Sequence, residues 1–142
     1  MPDATKARYD HGKGGQRGYT SFGKEHAKNS DAPDLKEFWH VGRELAGGKA
    51  PAGLPENLWT KEIPRLRPVL LKLYAKLDAC ALELLDAISL FIGEEENFLR
   101  ERSASGNNVL RVIHYPPVAA DRNPKSIRSA AHEDINLITL LC

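Results

Sequence analysis

The most regular hydrophobic pattern in the chain runs from Pro64 to Ile92 and predicts one long helix. Its apolar residues recur at spacings of three and four, so they form one stripe along a helix. The stripe consists of Leu70, Leu73, Leu77, Ala81, Leu84, Ile88 and Phe91. Pro64 and Pro68 fit near the first turn, and Gly93 is a natural stop. The helix would be roughly 40 Å long, and we expect its stripe to pack in a core rather than to bind a partner.

Two β-rich segments follow in the last third of the chain. Residues 109–115 alternate as a strand should, with Leu110, Val112 and His114 on one face and Val109, Arg111, Ile113 and Tyr115 on the other. Pro116 and Pro117 end this strand, because proline cannot donate to a ladder. A connection interrupted by Pro124 then leads to a second predicted strand at 132–141. Both faces of that strand become apolar beyond Asn136, as in a double-layered β structure.

The segments before the second strand give weaker patterns. Residues 94–102 predict a short helix with acidic residues at its start and basic residues at its end. Residues 42–55 hold four glycines and two prolines, which is typical of a loop. Residues 34–41 are aromatic-rich and could form a strand or an irregular segment. His40 lies beside Trp39 there, and we interpret it as a packed or hydrogen-bonded histidine rather than a ligand.

Residues 1–33 are polar and glycine-rich. Residues 12–18 have the glycine content of a phosphate-binding loop, but no apolar strand precedes them as such a loop requires. We therefore interpret them as a turn that leads into an extended segment at 17–22.

Composition narrows the function classes. A length of 142 residues, 42% of them hydrophobic, supports one domain with a core. The formal charge of +1, from 20 basic and 19 acidic residues, gives no case for binding nucleic acid or a membrane surface. Cys80 and Cys142 predict free thiols in a reducing compartment. Since no apolar run reaches the ~20 residues of a membrane span and the N-terminus has no hydrophobic signal segment, we expect a cytoplasmic protein.

The start of the second predicted strand carries the candidate chemistry. His132 and Asp134 are two residues apart, so on a strand they would lie on the same face. An imidazole nitrogen beside a carboxylate oxygen offers two of the three ligands of a facial-triad iron site. A hydrogen-bonded histidine at a surface strand end is the alternative, because the spacing alone does not select between the two.

The two β-rich segments together resemble the isopenicillin N synthase-like family of non-haem Fe(II) oxygenases, most of which depend on 2-oxoglutarate. The resemblance rests on VLRVIHYPP at 109–117 and on AAHEDINLITLL at 130–141, where HEDINLITLL is the most specific part. Residues 17–25 and 34–38 also resemble the segment that precedes the long helix in that family. The resemblance covers most of the chain.

The resemblance implies roles for three residues. His132 and Asp134 match the first two iron ligands, and Tyr115 matches a tyrosine that hydrogen-bonds the carboxylate of 2-oxoglutarate or of the substrate. Glu133 is expected to face away, and His114 is expected to be structural. A distal histidine ligand and an Arg-x-Ser motif for 2-oxoglutarate would complete the site, and neither follows His132 in this sequence. The family's usual first strand and helix, which would lie upstream of Met1, are likewise expected to be missing.

The implied fold is an α+β domain in which one long and one short helix support the opening strands of an incomplete double-stranded β-helix, or jelly roll. Residues 1–142 would form a single incomplete domain, with an extended and loop region at 1–62, helices at 63–102 and the first jelly-roll strands at 109–142. The implied cofactors are Fe(II) and the cosubstrate 2-oxoglutarate, and the implied partners are O₂ and a small-molecule substrate.

A different class of function remains open beside the oxygenase. A half-formed jelly roll would leave an open strand edge at 135–141, and a row of unpaired backbone groups can pair with a second copy or another chain. The protein would then be a non-catalytic interaction module that self-associates through this edge.

Overall fold

A computed structural model of the protein describes residues 1–10, 16–26, 31–118, 120–134 and 136–142. Its elements in chain order are α1 (Asp3–Lys6), a 3-10 turn (Ala7–Tyr9), β1 (Gly18–Thr20), β2 (Glu37–Gly42), a second 3-10 turn (Ala46–Gly48), α2 (Leu66–Phe91), α3 (Phe98–Ser103) and β3 (Val109–His114). The predicted α+β class is confirmed, whereas the predicted turn at 12–18 lies largely outside the described residues. Within these ranges, no helix combines the length and apolar character needed to cross a bilayer.

The three strands form one antiparallel sheet with β2 in the middle. The segment 34–41, which the sequence left open between strand and irregular structure, therefore provides the central strand. Trp39 pairs with Tyr19 of β1 on one side and with Val112 of β3 on the other. Every residue of β2 after Glu37 is buried, as is typical of a strand covered on both faces.

The core lies between one face of this sheet and the N-terminal part of α2. Its buried members are Tyr19, Trp39, Val41 and Leu70, and Val41 is completely inaccessible to solvent. The Trp39 ring centroid lies 5.6 Å from that of Tyr9 and 6.4 Å from that of Tyr19. These tilted aromatic contacts add to the hydrophobic stabilisation of the core.

Helix α2 confirms the predicted helix, because it spans Leu66–Phe91 and the chain turns at Gly93 with a φ of +83°. The predicted core role of its stripe holds only in part. Among the stripe residues Leu70 is buried, whereas Leu73, Leu84, Ile88 and Phe91 are exposed. The buried positions in the second half are Leu85 and Ser89, one residue away from the predicted stripe. The difference arises because α3 packs on that side of the helix.

Two contacts hold α3 against α2. The Ser89 hydroxyl donates to the Leu85 carbonyl at 2.8 Å and accepts the Leu99 N–H at 3.1 Å. The Arg100 Nε donates to Asp86 Oδ1 at 2.8 Å. Helix α3 begins at Phe98, four residues later than the predicted short helix.

The N-terminal region differs from the predicted extended and loop structure, because it begins with α1 and a 3-10 turn. Long-range contacts stabilise this segment: Lys6 Nζ lies 2.6 Å from Glu37 Oε2, and the Tyr9 hydroxyl donates to Glu62 Oε2 at 2.7 Å. The extended segment predicted at 17–22 is confirmed in part, because β1 covers Gly18–Thr20 and Phe22 lies in a turn. Tertiary contacts of this kind leave no periodic signal in the sequence.

The predicted strand at 132–141 is not formed, since residues 132–134 and 136–142 are irregular and no described strand lies beside them. A strand needs a neighbour to pair its backbone groups, and Leu137 and Leu141 are instead exposed. The open strand edge predicted at 135–141 was therefore wrong for residues 136–141, and residue 135 lies outside the described residues. The edges that the structure does show belong to β1 and β3.

Candidate functional site

The chain returns to the sheet after β3 and packs along the segment that leads into β2. The Leu35 N–H donates to the Ile127 carbonyl at 2.8 Å. The Ala130 N–H donates to Asp34 Oδ1 at 3.1 Å. Ser126 is buried in this return segment. These contacts fix the stretch that immediately precedes the predicted iron ligands.

His132 and Asp134 lie together at the end of this stretch. His132 Nε2 is 3.5 Å from Asp134 Oδ1, and both side chains are about half exposed, at 47% and 52%. His132 Nδ1 lies 2.8 Å from the Ala130 carbonyl, which can only accept, so Nδ1 carries a proton while Nε2 faces Asp134. Metal-binding histidines are commonly oriented by such a bond from the other ring nitrogen.

Local contacts take the place of the missing strand in bringing the pair together. The Thr139 hydroxyl donates to Asp134 Oδ2 at 2.7 Å and accepts from Asn136 Nδ2 at 2.8 Å. One oxygen of Asp134 is thereby held by Thr139, while the other faces the imidazole. The residues are adjacent as predicted, but their role as iron ligands remains a prediction.

The donor set fits part of an iron site. An imidazole nitrogen and a carboxylate oxygen are the ligand types of the facial triad. Within the part of the chain that the structure describes, no group of three His, Cys, Asp or Glu residues could hold a metal ion. The assignment of His132 and Asp134 as ligands, and the identity of a third ligand, remain predictions.

Tyr115 follows the last residue of β3 and is 38% exposed. Its hydroxyl makes no hydrogen bond to another described residue, so the structure does not bring it into contact with the histidine–aspartate pair. Its predicted role as the contact for a 2-oxoglutarate carboxylate remains a prediction. The end of the strand before it is firmly held, because His114 Nδ1 lies 2.8 Å from Glu37 Oε1. This contact agrees with the structural role expected for His114.

His40 is packed and hydrogen-bonded, as predicted. Its side chain is buried, and Arg111 Nε donates to His40 Nε2 at 2.7 Å. Burial lowers the pKa of His40 to about 4, and the nearby charges of Arg111 and Arg17 act in the same direction. The imidazole is therefore neutral at pH 7. Nε2 accepts the hydrogen bond from Arg111, so Nδ1 carries the proton.

Several polar groups of this sheet face were not recognised in the sequence. Arg17 is 1% exposed and its guanidinium lies against Gly42, where a Cβ would be 2.0 Å from Arg17 Cζ. The Arg111 guanidinium lies 4.6 Å from the Phe38 ring centroid, and its Nη1 is 3.5 Å from Glu25 Oε1. The sequence gives no signal for these groups, because a charge that is buried by partners distant in the chain looks like a surface charge.

Glu37 anchors the other end of β2. Burial alone would raise its pKa, but hydrogen bonds from Lys6, Tyr19 and His114 outweigh burial and lower the pKa to about 2. Burial and the bond to Glu37 raise the pKa of Tyr19 to about 12. A single carboxylate thus joins α1, β1 and β3 to the central strand.

Comparisons with known proteins show which proteins the chain is similar to. Residues 1–62 match the family described as non-haem dioxygenase in morphine synthesis N-terminal. A 2-oxoglutarate-Fe(II) type oxidoreductase of Emericella nidulans is 28% identical over 136 residues, which cover 88% of this chain and 38% of that protein. A protein with the same description from Aspergillus fumigatus is 27% identical over 133 residues, covering 88% and 40%.

Solved structures give the same result. A 2OG-Fe(II) oxygenase family protein from Caulobacter crescentus is 40% identical with a TM-score of 0.72, and the match covers 89% of this chain and 41% of that one. A Neurospora crassa protein solved in complex with alpha-KG is 26% identical with a TM-score of 0.73, covering 94% and 43%. Over most of its length the chain is therefore similar to 2-oxoglutarate–Fe(II) oxygenases, as the sequence resemblance implied. It spans about two fifths of the length of the relatives it matches.

Proposed function

We propose that the chain forms part of a 2-oxoglutarate-dependent Fe(II) oxygenase that oxidises a small-molecule substrate with O₂. His132 and Asp134 provide two of the iron ligands, Tyr115 contacts 2-oxoglutarate, and the strands belong to an incomplete jelly roll. The observation that carries the proposal is the His132–Asp134 pair, in which His132 Nε2 lies 3.5 Å from Asp134 Oδ1. Relatives described as 2-oxoglutarate-Fe(II) oxidoreductases support the choice of metal and cosubstrate.

Each residue has a definite part in this function. His132 offers the Nε2 lone pair because the Ala130 carbonyl holds Nδ1–H, and Asp134 contributes a negative charge and an oxygen ligand. The Tyr115 hydroxyl donates a hydrogen bond to a carboxylate. When bound, iron and 2-oxoglutarate supply the O₂ chemistry, in which 2-oxoglutarate is oxidatively decarboxylated.

A Co(II) titration of the 142-residue chain, followed by nuclear magnetic resonance, tests the metal site. Co(II) resists oxidation and lies next to Fe(II) in the affinity order for nitrogen and oxygen ligands. We expect paramagnetic shifts centred on the amides around residues 132–134, and we expect them to disappear in His132→Ala and in Asp134→Ala. Glu133→Gln is the matched control, since it removes a neighbouring exposed charge and should leave the shifts unchanged. Shifts that persist in both alanine variants would refute the site.

A turnover assay tests whether the pair suffices for activity. With two ligands among the described residues, we expect Fe(II) to bind weakly and 2-oxoglutarate-dependent release of CO₂ to be absent. Robust CO₂ release by the pure 142-residue protein would show that its site is complete and would contradict this part of the proposal.

Self-association is the second candidate, and we propose the edge of β3 for it. β3 is one of the two edge strands of the sheet, and its Val112 and Ile113 are 42% and 39% exposed. Unpaired backbone groups beside apolar side chains can pair with a second copy. Light scattering after size-exclusion chromatography would show a dimer that dissociates when Val112 is replaced by proline, whereas a monomer at all concentrations would exclude this candidate.

A further inference from the structure

Asp34 connects the sheet to the predicted iron ligands. It precedes β2 by three residues and is 3% exposed. Its Oδ1 accepts the Ala130 N–H at 3.1 Å, and its own backbone N–H donates to the Glu25 carbonyl at 2.9 Å. The carbonyl of Ala130 in turn accepts the Nδ1–H of His132 at 2.8 Å. Ala130 is thus held by Asp34 through its N–H and holds the imidazole through its C=O.

This arrangement matters because no strand ladder holds residues 130–134. In a sheet, paired backbone groups would fix the direction of successive side chains. Here the described residues 130–134 are irregular, so the contact with Asp34 and the neighbouring Leu35–Ile127 hydrogen bond provide the anchor. The orientation of the His132 ring therefore depends on a carboxylate that lies 96 residues earlier in the chain than Ala130.

Lys36 keeps this carboxylate in place. Lys36 Nζ lies 2.9 Å from Asp34 Oδ2 and 2.8 Å from Glu25 Oε2, and the lysine side chain is 5% exposed. Burial lowers the pKa of Lys36, but its bonds to Glu25 and Asp34 outweigh burial and raise the pKa. The charged lysine compensates the two carboxylates, which would otherwise be costly to bury. Asp34 Oδ2 therefore contacts Lys36, and Asp34 Oδ1 accepts the hydrogen bond from Ala130.

We propose that Asp34 is a positioning residue for His132, which it orients for a divalent metal ion through the Ala130 peptide groups. The inference rests on the proposed function, because it assigns a support to that same metal site. Groups that orient a metal-bound histidine typically change metal affinity by about 10- to 100-fold when they are removed. Asp34 contacts neither the metal nor a substrate in this proposal.

The Co(II) titration described above tests the inference with three variants. Asp34→Ala removes the acceptor of the Ala130 N–H, so we expect the Kd for Co(II) to rise by about tenfold or more. Ala130→Pro removes the donor and leaves the Asp34–Lys36 ion pair intact, and we expect a similar rise. Asp34→Asn retains an acceptor oxygen and should keep the Kd within about threefold of the original.

Glu44→Ala is the matched control for the loss of a buried carboxylate. The Glu44 side chain is 8% exposed, and its Oε2 lies 2.9 Å from Arg67 Nη2. This contact lies outside the return segment. We expect this variant to lose stability without changing the Kd. Circular dichroism establishes which variants are folded, and if Asp34→Ala unfolds, Ala130→Pro decides the result.

The outcomes separate the two proposals. A Kd unchanged in the folded Asp34→Ala and Ala130→Pro variants, while His132→Ala abolishes binding, overturns the positioning role alone. A loss in Asp34→Asn equal to that in Asp34→Ala also overturns it, because the charge and not the hydrogen bond would then be responsible. Binding that persists in His132→Ala overturns the metal site, and with it the role of Asp34.

Discussion

Glu37 should make the stability of this protein depend on pH in a defined window. Its side chain is 13% exposed, and its pKa of about 2 compares with an ordinary value of 4.5. A depressed pKa stabilises the folded state above pH 4.5, and this contribution is lost as the pH falls from 4.5 towards 2. At about 1.4 kcal/mol per pH unit the contribution is about 3 kcal/mol. We therefore expect Glu37→Gln to lower the free energy of unfolding by about that amount at pH 7.

Urea denaturation of both proteins between pH 7 and pH 3 measures this effect. The difference in free energy of unfolding should be largest at pH 7 and should shrink below pH 4.5, where the wild-type carboxylate begins to bind a proton. Other carboxylates with lowered pKa values act equally in both proteins and cancel in the difference. Glu133→Gln removes an exposed charge and should change little at any pH. A Glu37→Gln difference that stays constant from pH 7 to pH 3 would refute the reasoning.

Three further substitutions test the packing around the sheet, each by urea denaturation. Gly42→Ala should destabilise the protein strongly, because the new Cβ would lie 2.0 Å from Arg17 Cζ. The loss in free energy of unfolding should be smaller in an Arg17→Ala background. Equal losses in both backgrounds would contradict the contact. Val41→Ala should cost about 2 kcal/mol, since this side chain is completely buried, and a cost near zero would mean that the core is packed elsewhere. Ser89→Ala should lower the free energy of unfolding by about 1 kcal/mol. It should also increase hydrogen exchange at the Leu99 amide, which loses its acceptor. Unchanged exchange at Leu99 would exclude the hydrogen bond to Ser89.

Local patterns in the sequence predicted the elements that local forces determine. The spacing of Leu70 and its stripe predicted α2, Gly93 marked its end, and the alternation at 109–115 predicted β3. The same reasoning failed for 132–141, because a strand is stable only beside a neighbour and the periodicity of one segment does not provide the neighbour. It also missed α1, which is held by the contact of Lys6 with Glu37.

The candidate site shows the same difference between what local spacing predicts and what long-range contacts determine. The spacing of His132 and Asp134 predicted that the two side chains would meet, and they do so through Thr139 and Ala130 rather than through a strand. Asp34 could not have been assigned a role from its position in the sequence, because its partner lies 96 residues away. Buried ion pairs between distant segments leave only the ordinary mixture of charges that any protein surface has.

The antiparallel pairing of β2 with β3 has a consequence for how the protein is made. The Glu37 and His114 side chains that close this pairing are 77 residues apart, so β2 leaves the ribosome long before its second partner. At 5–20 residues per second the delay is roughly 4 to 15 s. During that interval β2, whose residues are buried on both faces in the finished fold, has only the three residues of β1 beside it. An unpaired edge of a strand that is destined for burial favours aggregation of the nascent chain during this interval.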